Sequence, residues 1–175
     1  MLRPVDLTTV FAHDRVHGTD YGPVDTPHAD QVHTGLAWWI GACLVLTANT
    51  RAVALVHDGT PLAHNYARAF AQGAINVHPN AAVVSIVAPG AMPELIHAAM
   101  ALAAPGVLMT TVDRQITIQL IDPSGAAITM ESGLGPIRDL IAADRTPRPV
   151  DTAFKGRIEQ RPDLLPATSN RTEHP

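Results

Sequence analysis

Lysine is nearly missing from this chain: Lys155 is the only one among twelve basic residues, and all the others are arginine. Sixteen acidic residues outnumber the basic ones, and the net charge of -4 provides no general basic footprint for nucleic acid. The arginine bias reads as compositional rather than mechanistic. Cysteine is equally scarce. Cys43 stands alone, which excludes an internal disulfide and a cysteine zinc site and suits a reducing cytosol. Aromatic residues make up only 4%, so Ala, Val, Leu and Ile have to fill the interior. Long apolar runs are absent too. The longest covers residues 36–48, short of the roughly 20 needed to cross a bilayer, and reads as a buried helix. No charged segment leads into an apolar one at the start, so no signal peptide is expected, and the location expected is cytoplasmic. There is no internal repeat. There is also no G-x-G-x-x-G fingerprint, which argues against a Rossmann nucleotide site and gives no reason to expect a cofactor.

What remains is enough for one domain with a real core: 175 residues, 46% of them hydrophobic. Thr26-Pro27 reads as an N-cap followed by a proline at the first helical position. Val32, Leu36, Ile40, Cys43 and Leu44 then recur at helical spacing, and Asn49 marks a stop. Residues 52–57 form a short apolar run, a buried strand. Thr60-Pro61 repeats the cap signal before a helix carrying Leu62, Tyr66, Phe70 and Gly73. Residues 81–87 and 107–110 are further buried strands, separated by a helix that Pro93 opens and Pro105-Gly106 closes. Residues 116–121 alternate as a fourth strand, and 136–143 form a last helix. Strands alternating with helices predict a three-layer α/β/α sandwich around a mixed, mostly parallel four-stranded sheet. Residues 1–143 are expected to be one α/β domain. From Asp144 to residue 175, Pro, Arg, Thr and Asp dominate, and an extended or disordered tail is expected.

Several residues invite a chemical reading. His13, Asp14, His17, Asp20, Asp25, His28, Asp30 and His33 crowd the first part of the chain, but their spacing matches no closed metal site, so no metal is expected. His28, Asp30 and His33 are expected on the wet face of the first helix. Trp38 and Trp39 project about 100° apart on a helix, placing one in the core and the other at its margin, where a partner contact is a second reading.

Residues 105–125 hold the most telling pattern: an apolar strand, the polar turn Thr110-Thr111-Val112-Asp113-Arg114-Gln115, and a returning strand. This resembles the catalytic serine loop of the phosphohexomutases, the phosphoglucomutase and phosphomannomutase family, whose Thr-Ala-Ser-His-Asn-Pro loop it parallels. Other stretches are similar to the family's first domain. Val16-His17-Gly18 stands where an Arg-Gly pair is usual. Asp58-Gly59-Thr60-Pro61-Leu62-Ala63 parallels Asp-x-Arg-x-Ser-Ser. Ala91-Met92-Pro93 parallels Pro-Thr-Pro, and residues 156–165 parallel the connector to the second domain.

The resemblance implies the fold of phosphohexomutase domain I and a phosphoryl-transfer ancestry, but the serine position holds Val112. Valine has no hydroxyl to phosphorylate, so no catalytic residue is assigned. The family's metal-binding aspartates lie in its second domain and its phosphate clamp in its fourth. The resemblance therefore implies a catalytically inactive stand-alone relative acting as a binding, assembly or regulatory module. Its expected partners are a second copy in a homodimer or a protein of bacterial carbohydrate and sugar-phosphate metabolism, with no nucleic acid and no membrane. The alternative is a binder of a phosphorylated sugar or other small anion at the old loop, through His17, Asp58, Thr60, Thr110, Thr111, Asp113 and Arg114. Each of these has a second, structural reading. The threonine hydroxyls can bond nearby backbone, Asp113 can be a solvated turn residue, and Arg114 a surface cation.

Overall fold

The computed structural model describes residues 4–23 and 25–167. In chain order the main elements are α1 (Leu7–Val10), β1 (Val16–Thr19), α2 (Thr34–Ala48), β2 (Ala52–His57), α3 (Pro61–Ala74), β3 (Val83–Val87), α4 (Met92–Leu102), β4 (Gly106–Val112), β5 (Gln115–Ile121), α5 (Gly135–Ala142) and β6 (Arg157–Gln160). The apolar runs become neighbouring strands. β2 lies between β3 and β4 and is parallel to both. β5 folds back antiparallel on β4, and β1 pairs antiparallel with β5. Parallel strands need cover on both faces, which is why they read as continuous apolar runs.

Strand alternation divides the interior in two. Val53, Leu55, Val107, Met109, Ile116 and Ile118 face α2, α3 and α5, forming the larger core. Ala54, Val56, Leu108 and Ile121 face α4, where Leu95 and Ala98 meet them. The result is the expected three-layer α/β/α sandwich. Among the described residues the sheet has six strands rather than four, in the order β1-β5-β4-β2-β3-β6. Both unexpected strands are four-residue edge strands rich in polar side chains, which lack the apolar signature of a buried strand. Among the described residues no helix is long and apolar enough to cross a membrane.

Two local readings need correction. The first long helix starts at Thr34, not at Pro27. Residues 30–32 run beside β1 instead: Thr19 N–H donates to the Asp30 carbonyl at 2.8 Å, and Val32 N–H donates to the Thr19 carbonyl at 3.1 Å. Asp30 also accepts from the Thr19 hydroxyl at 2.8 Å and from Tyr21 at 3.0 Å, so it is bonded to the start of the sheet rather than placed on a helix face. The sheet also continues past residue 143, into the stretch read as a tail. β6 pairs in parallel with β3. Leading into it, the buried Asn76 side chain donates to the Arg148 carbonyl at 2.9 Å and accepts Val150 N–H at 3.0 Å, as a strand neighbour would. Residues 168–175 of the expected tail lie outside the described residues.

The low aromatic content shows in how α2 meets α3. A Cβ on Gly41 would come within 2.2 Å of the Phe70 carbonyl oxygen, and one on Gly73 would lie 1.9 Å from that of Trp38. The two helices touch backbone to backbone, with Ile40, Leu44, Tyr66 and Phe70 buried around the contact. Trp38 and Trp39 are both half-buried, packed against the margin of this core. Cys43 is fully buried there, and burial pushes its thiol up to about 12.

Gly73→Ala is expected to lower stability by about 2 kcal/mol in urea unfolding. The methyl would meet a helix backbone that cannot step aside, which outweighs the roughly 1 kcal/mol gained in helix propensity. Asn76→Ala is expected to cost about 1–3 kcal/mol, because it removes both hydrogen bonds that the buried amide makes to the Arg148 carbonyl and the Val150 N–H. Hydrogen exchange at Val150 and through β6 should quicken in that variant while β2 stays protected.

Candidate functional site

The β4–β5 hairpin closes in two residues, because Val112 pairs with Gln115. Asp113 takes the left-handed conformation at φ 53°, which an aspartate tolerates better than most residues. Val112, just before the turn, is 72% exposed.

Beneath the hairpin, Asp58 follows β2 and ties three elements together. Its Oδ1 accepts from Thr60 N–H at 2.9 Å and from the Thr60 hydroxyl at 2.7 Å. Its Oδ2 accepts from Thr111 N–H at 2.6 Å and from the Thr111 hydroxyl at 3.1 Å. The two hydroxyl oxygens are 2.7 Å apart, and Thr60 Oγ1 also accepts Ala63 N–H at 3.2 Å, capping α3. Each hydroxyl carries one proton. With the Thr60 proton on Asp58, the Thr111 proton is shared between Asp58 and Thr60 Oγ1. Burial alone would raise the Asp58 carboxyl, but the hydrogen bonds from Thr60 and Thr111 outweigh it and hold it below its ordinary value of 3.8.

Arg114, at the second position of the turn, reaches to Asp20 beyond β1. Its Nε donates to the Asp20 carbonyl at 2.5 Å and its Nη2 to Asp20 Oδ1 at 3.3 Å, while Asp20 N–H donates to the Arg114 carbonyl at 2.9 Å. Asp20 Oδ2 accepts from the buried Tyr66 hydroxyl at 2.9 Å. Burial, then the Asp20 charge and hydrogen bond, raise the Tyr66 phenol well above its usual range. A chain of contacts thus runs from the core of α3 through Asp20 to the hairpin tip. From sequence, Tyr66 is one of the residues carried by the helix after Thr60-Pro61, Arg114 is an anion-binding candidate, and Asp20 has no such role. No local signal links them, since Asp20 lies 46 positions from Tyr66 and 94 from Arg114.

The expected candidates therefore divide. Asp58, Thr60 and Thr111 are joined on the α3 side of the sheet. Thr110 and Val112, one residue either side of Thr111, point to the opposite face by strand alternation. Thr117 lies across from Thr110 on one strand and from His17 on the next, so His17, Thr117 and Thr110 form one row on that opposite face. A shallow cavity of about 370 Å³ lies by His17, Thr117, Asp30 and Arg15. Of the other early His and Asp residues, His13 is 3.5 Å from Glu131 in an exposed pair, Asp14 pairs with Arg15, and His28 stacks on Tyr21 at 4.0 Å. Among the described residues no group of three or more His, Cys, Asp or Glu is placed to hold a metal ion.

No family model matches the chain, and no curated protein matches it. Solved structures do. A protein from Thermus thermophilus assigned as a phosphomannomutase aligns with 91% of this chain and 33% of its own, at a TM-score of 0.66 and 20% identity. A phosphoglucomutase/phosphomannomutase family protein from Burkholderia thailandensis aligns with 87% of this chain and 32% of its own, at a TM-score of 0.66 and 18% identity. The chain spans about a third of the length of these proteins and has the mixed α/β fold of that portion.

The Asp58 node carries a sign that can be checked. A carboxyl whose pKa is lowered by folding stabilises the fold above its unfolded value, and that contribution is lost as pH falls through the folded value. Asp58→Asn is expected to cost about 2 kcal/mol near neutral pH, where charge-assisted hydrogen bonds are replaced by neutral ones. In urea unfolding, the gap between wild type and variant should be full above pH 5 and close as pH drops below about 3.8.

Proposed function

We propose that this chain is a catalytically inactive, phosphohexomutase domain I-like protein that works as a binding, assembly or regulatory module. The observation that carries the reading is the hairpin and its Asp58 node. Phosphoryl transfer through a phosphoserine, the route that the resemblance implies, needs a hydroxyl at the reacting position and a base to take its proton. The exposed position holds Val112, which offers neither. The nearest hydroxyls, Thr60 and Thr111, are closed onto Asp58 and each other, and Thr110 lies on the other face of the sheet. Arg114, which could have met a phosphate, is directed to Asp20.

The arrangement keeps a surface for association. α4 packs over β2, β3 and β4, and the remainder of that sheet face presents His17, Val112 and Gln115 to solvent. We assign this face to assembly in a bacterial cytoplasm, as a homodimer or with a protein of sugar-phosphate metabolism.

Incubation with a hexose bisphosphate is expected to leave the intact mass unchanged, and hexose monophosphates to show no turnover. Sedimentation should find a dimer that His17→Glu with Val112→Glu converts to monomer. A phosphorylated chain or measurable mutase turnover would overturn the inactive reading. A monomer at all concentrations would overturn the homodimer. Saturable hexose-phosphate binding lost in Arg114→Gln would move the function to anion binding at the hairpin.

A further inference from the structure

A cavity lies at the carboxyl ends of β2, β3 and β6, away from the β4–β5 hairpin. Its floor and walls come from the sheet face that carries Val53 and Leu55: His57 at the end of β2, Ile86 of β3 and Ile158 of β6. α3, from His64 to Gln72, forms the other side, and the volume is about 320 Å³. That is the size of a small-molecule site, and in open α/β sheets ligands settle at the carboxyl ends of parallel strands. β2, β3 and β6 are mutually parallel, so all three ends point the same way.

The polar lining consists of one guanidinium, two imidazoles and two amides: Arg68, His57, His64, Gln72 and Gln160, with no carboxylate among them. His57 is 7% exposed, and its Nδ1 accepts Gly59 N–H at 3.1 Å. The neutral ring then carries its proton on Nε2, as a donor. Burial, reinforced by the neighbouring His64, favours that neutral form. The two imidazoles meet edge to face at 5.5 Å, holding His57 in place. Arg68 stands at the mouth. Arg15, Arg114, Arg138, Arg157 and Arg161 pair with carboxylates. Among the described residues Arg68, like Arg51, Arg145 and Arg148, has no ion pair and no side-chain hydrogen bond, and of these four it alone lines the cavity. A lining with excess donors, one unpaired cation and an aliphatic wall is complementary to a molecule with an anionic end and an apolar body.

We propose that the cavity between α3 and the β2–β3–β6 strand ends binds a small organic anion, its charged group at Arg68 with the two imidazoles and its apolar body against Ile86 and Ile158. This site is separate from the Val112 hairpin and does not depend on whether that hairpin is inactive.

Phenyl phosphate and benzoate probe the two common anionic groups, and phenol serves as the neutral control, each titrated into the full chain and followed by calorimetry and by the ring resonances of His57 and His64. At least one anion is expected to bind saturably at millimolar concentration, shift both rings, and lose about tenfold in affinity in Arg68→Gln. Arg68 is exposed, so that variant keeps the fold, which its melting curve checks. Arg138→Gln, remote from the cavity, should bind as wild type does. Preference between the two anions identifies the charged group. The proposal is overturned if neither anion saturates, if phenol binds as tightly as both, or if Arg68→Gln binds unchanged. Loss in Arg114→Gln with retention in Arg68→Gln would also overturn it, by placing the anion at the hairpin.

Discussion

The close approach of α2 and α3 sets the positions of most of the polar structure described above. Gly41 and Gly73 let two helix backbones touch where a single methyl would collide with a carbonyl. A chain with so few aromatic residues gains close packing this way, since dispersion contacts fall off steeply with separation. The same contact fixes α3 over the sheet. From there Tyr66 reaches Asp20, Thr60 reaches Asp58, and His64 and Arg68 stand over the ends of β2 and β6.

The polar nodes around the hairpin illustrate how scaffold and chemistry can part. Asp58, just after β2, binds the cap residue of α3 and the end of β4 in one set of hydrogen bonds. Asp20 joins β1, the hairpin tip and the core of α3. Both carboxylates have their oxygens directed at protein donors, which suits them to holding strands and loops together. In this chain these joints hold strands and loops together whether or not a phosphoryl group ever arrives there. Fold likeness at one fifth identity therefore speaks for the architecture, and the side chains at the hairpin speak for the chemistry.

The central strands β2, β3 and β4 and the helices α3 and α4 were legible in the sequence because each joins an apolar pattern to a cap or proline signal. β1 and β6 were not. Val16–Thr19 and Arg157–Gln160 are short edge strands, and about half their side chains face water. Thr26-Pro27 misled because the same dipeptide serves turns as well as helix starts. Here the next residues find backbone partners on Thr19 instead of forming a helix. At the candidate site, the grouping of Asp58, Thr60 and Thr111 followed from the family resemblance. The separation of Thr110 from Thr111 did not, because residues 110–115 read as a turn, whereas β4 runs on to Val112 and strand alternation then applies. The Tyr66–Asp20–Arg114 chain and the setting of His57 and Arg68 rest on contacts between distant segments, which no local pattern encodes.

The Asn76 amide, which stands in for a strand partner, lies on the side of the sheet that β6 closes. On the ribosome β3 emerges long before β6, and until residues 157–160 follow, its outer backbone groups remain an open template for another chain. Asn76 precedes β3 in the chain, and in the folded protein its amide holds residues 148 and 150 on the same side of the sheet as the edge that β6 covers. One buried side chain thus ties down the approach to the strand that closes this edge to other chains.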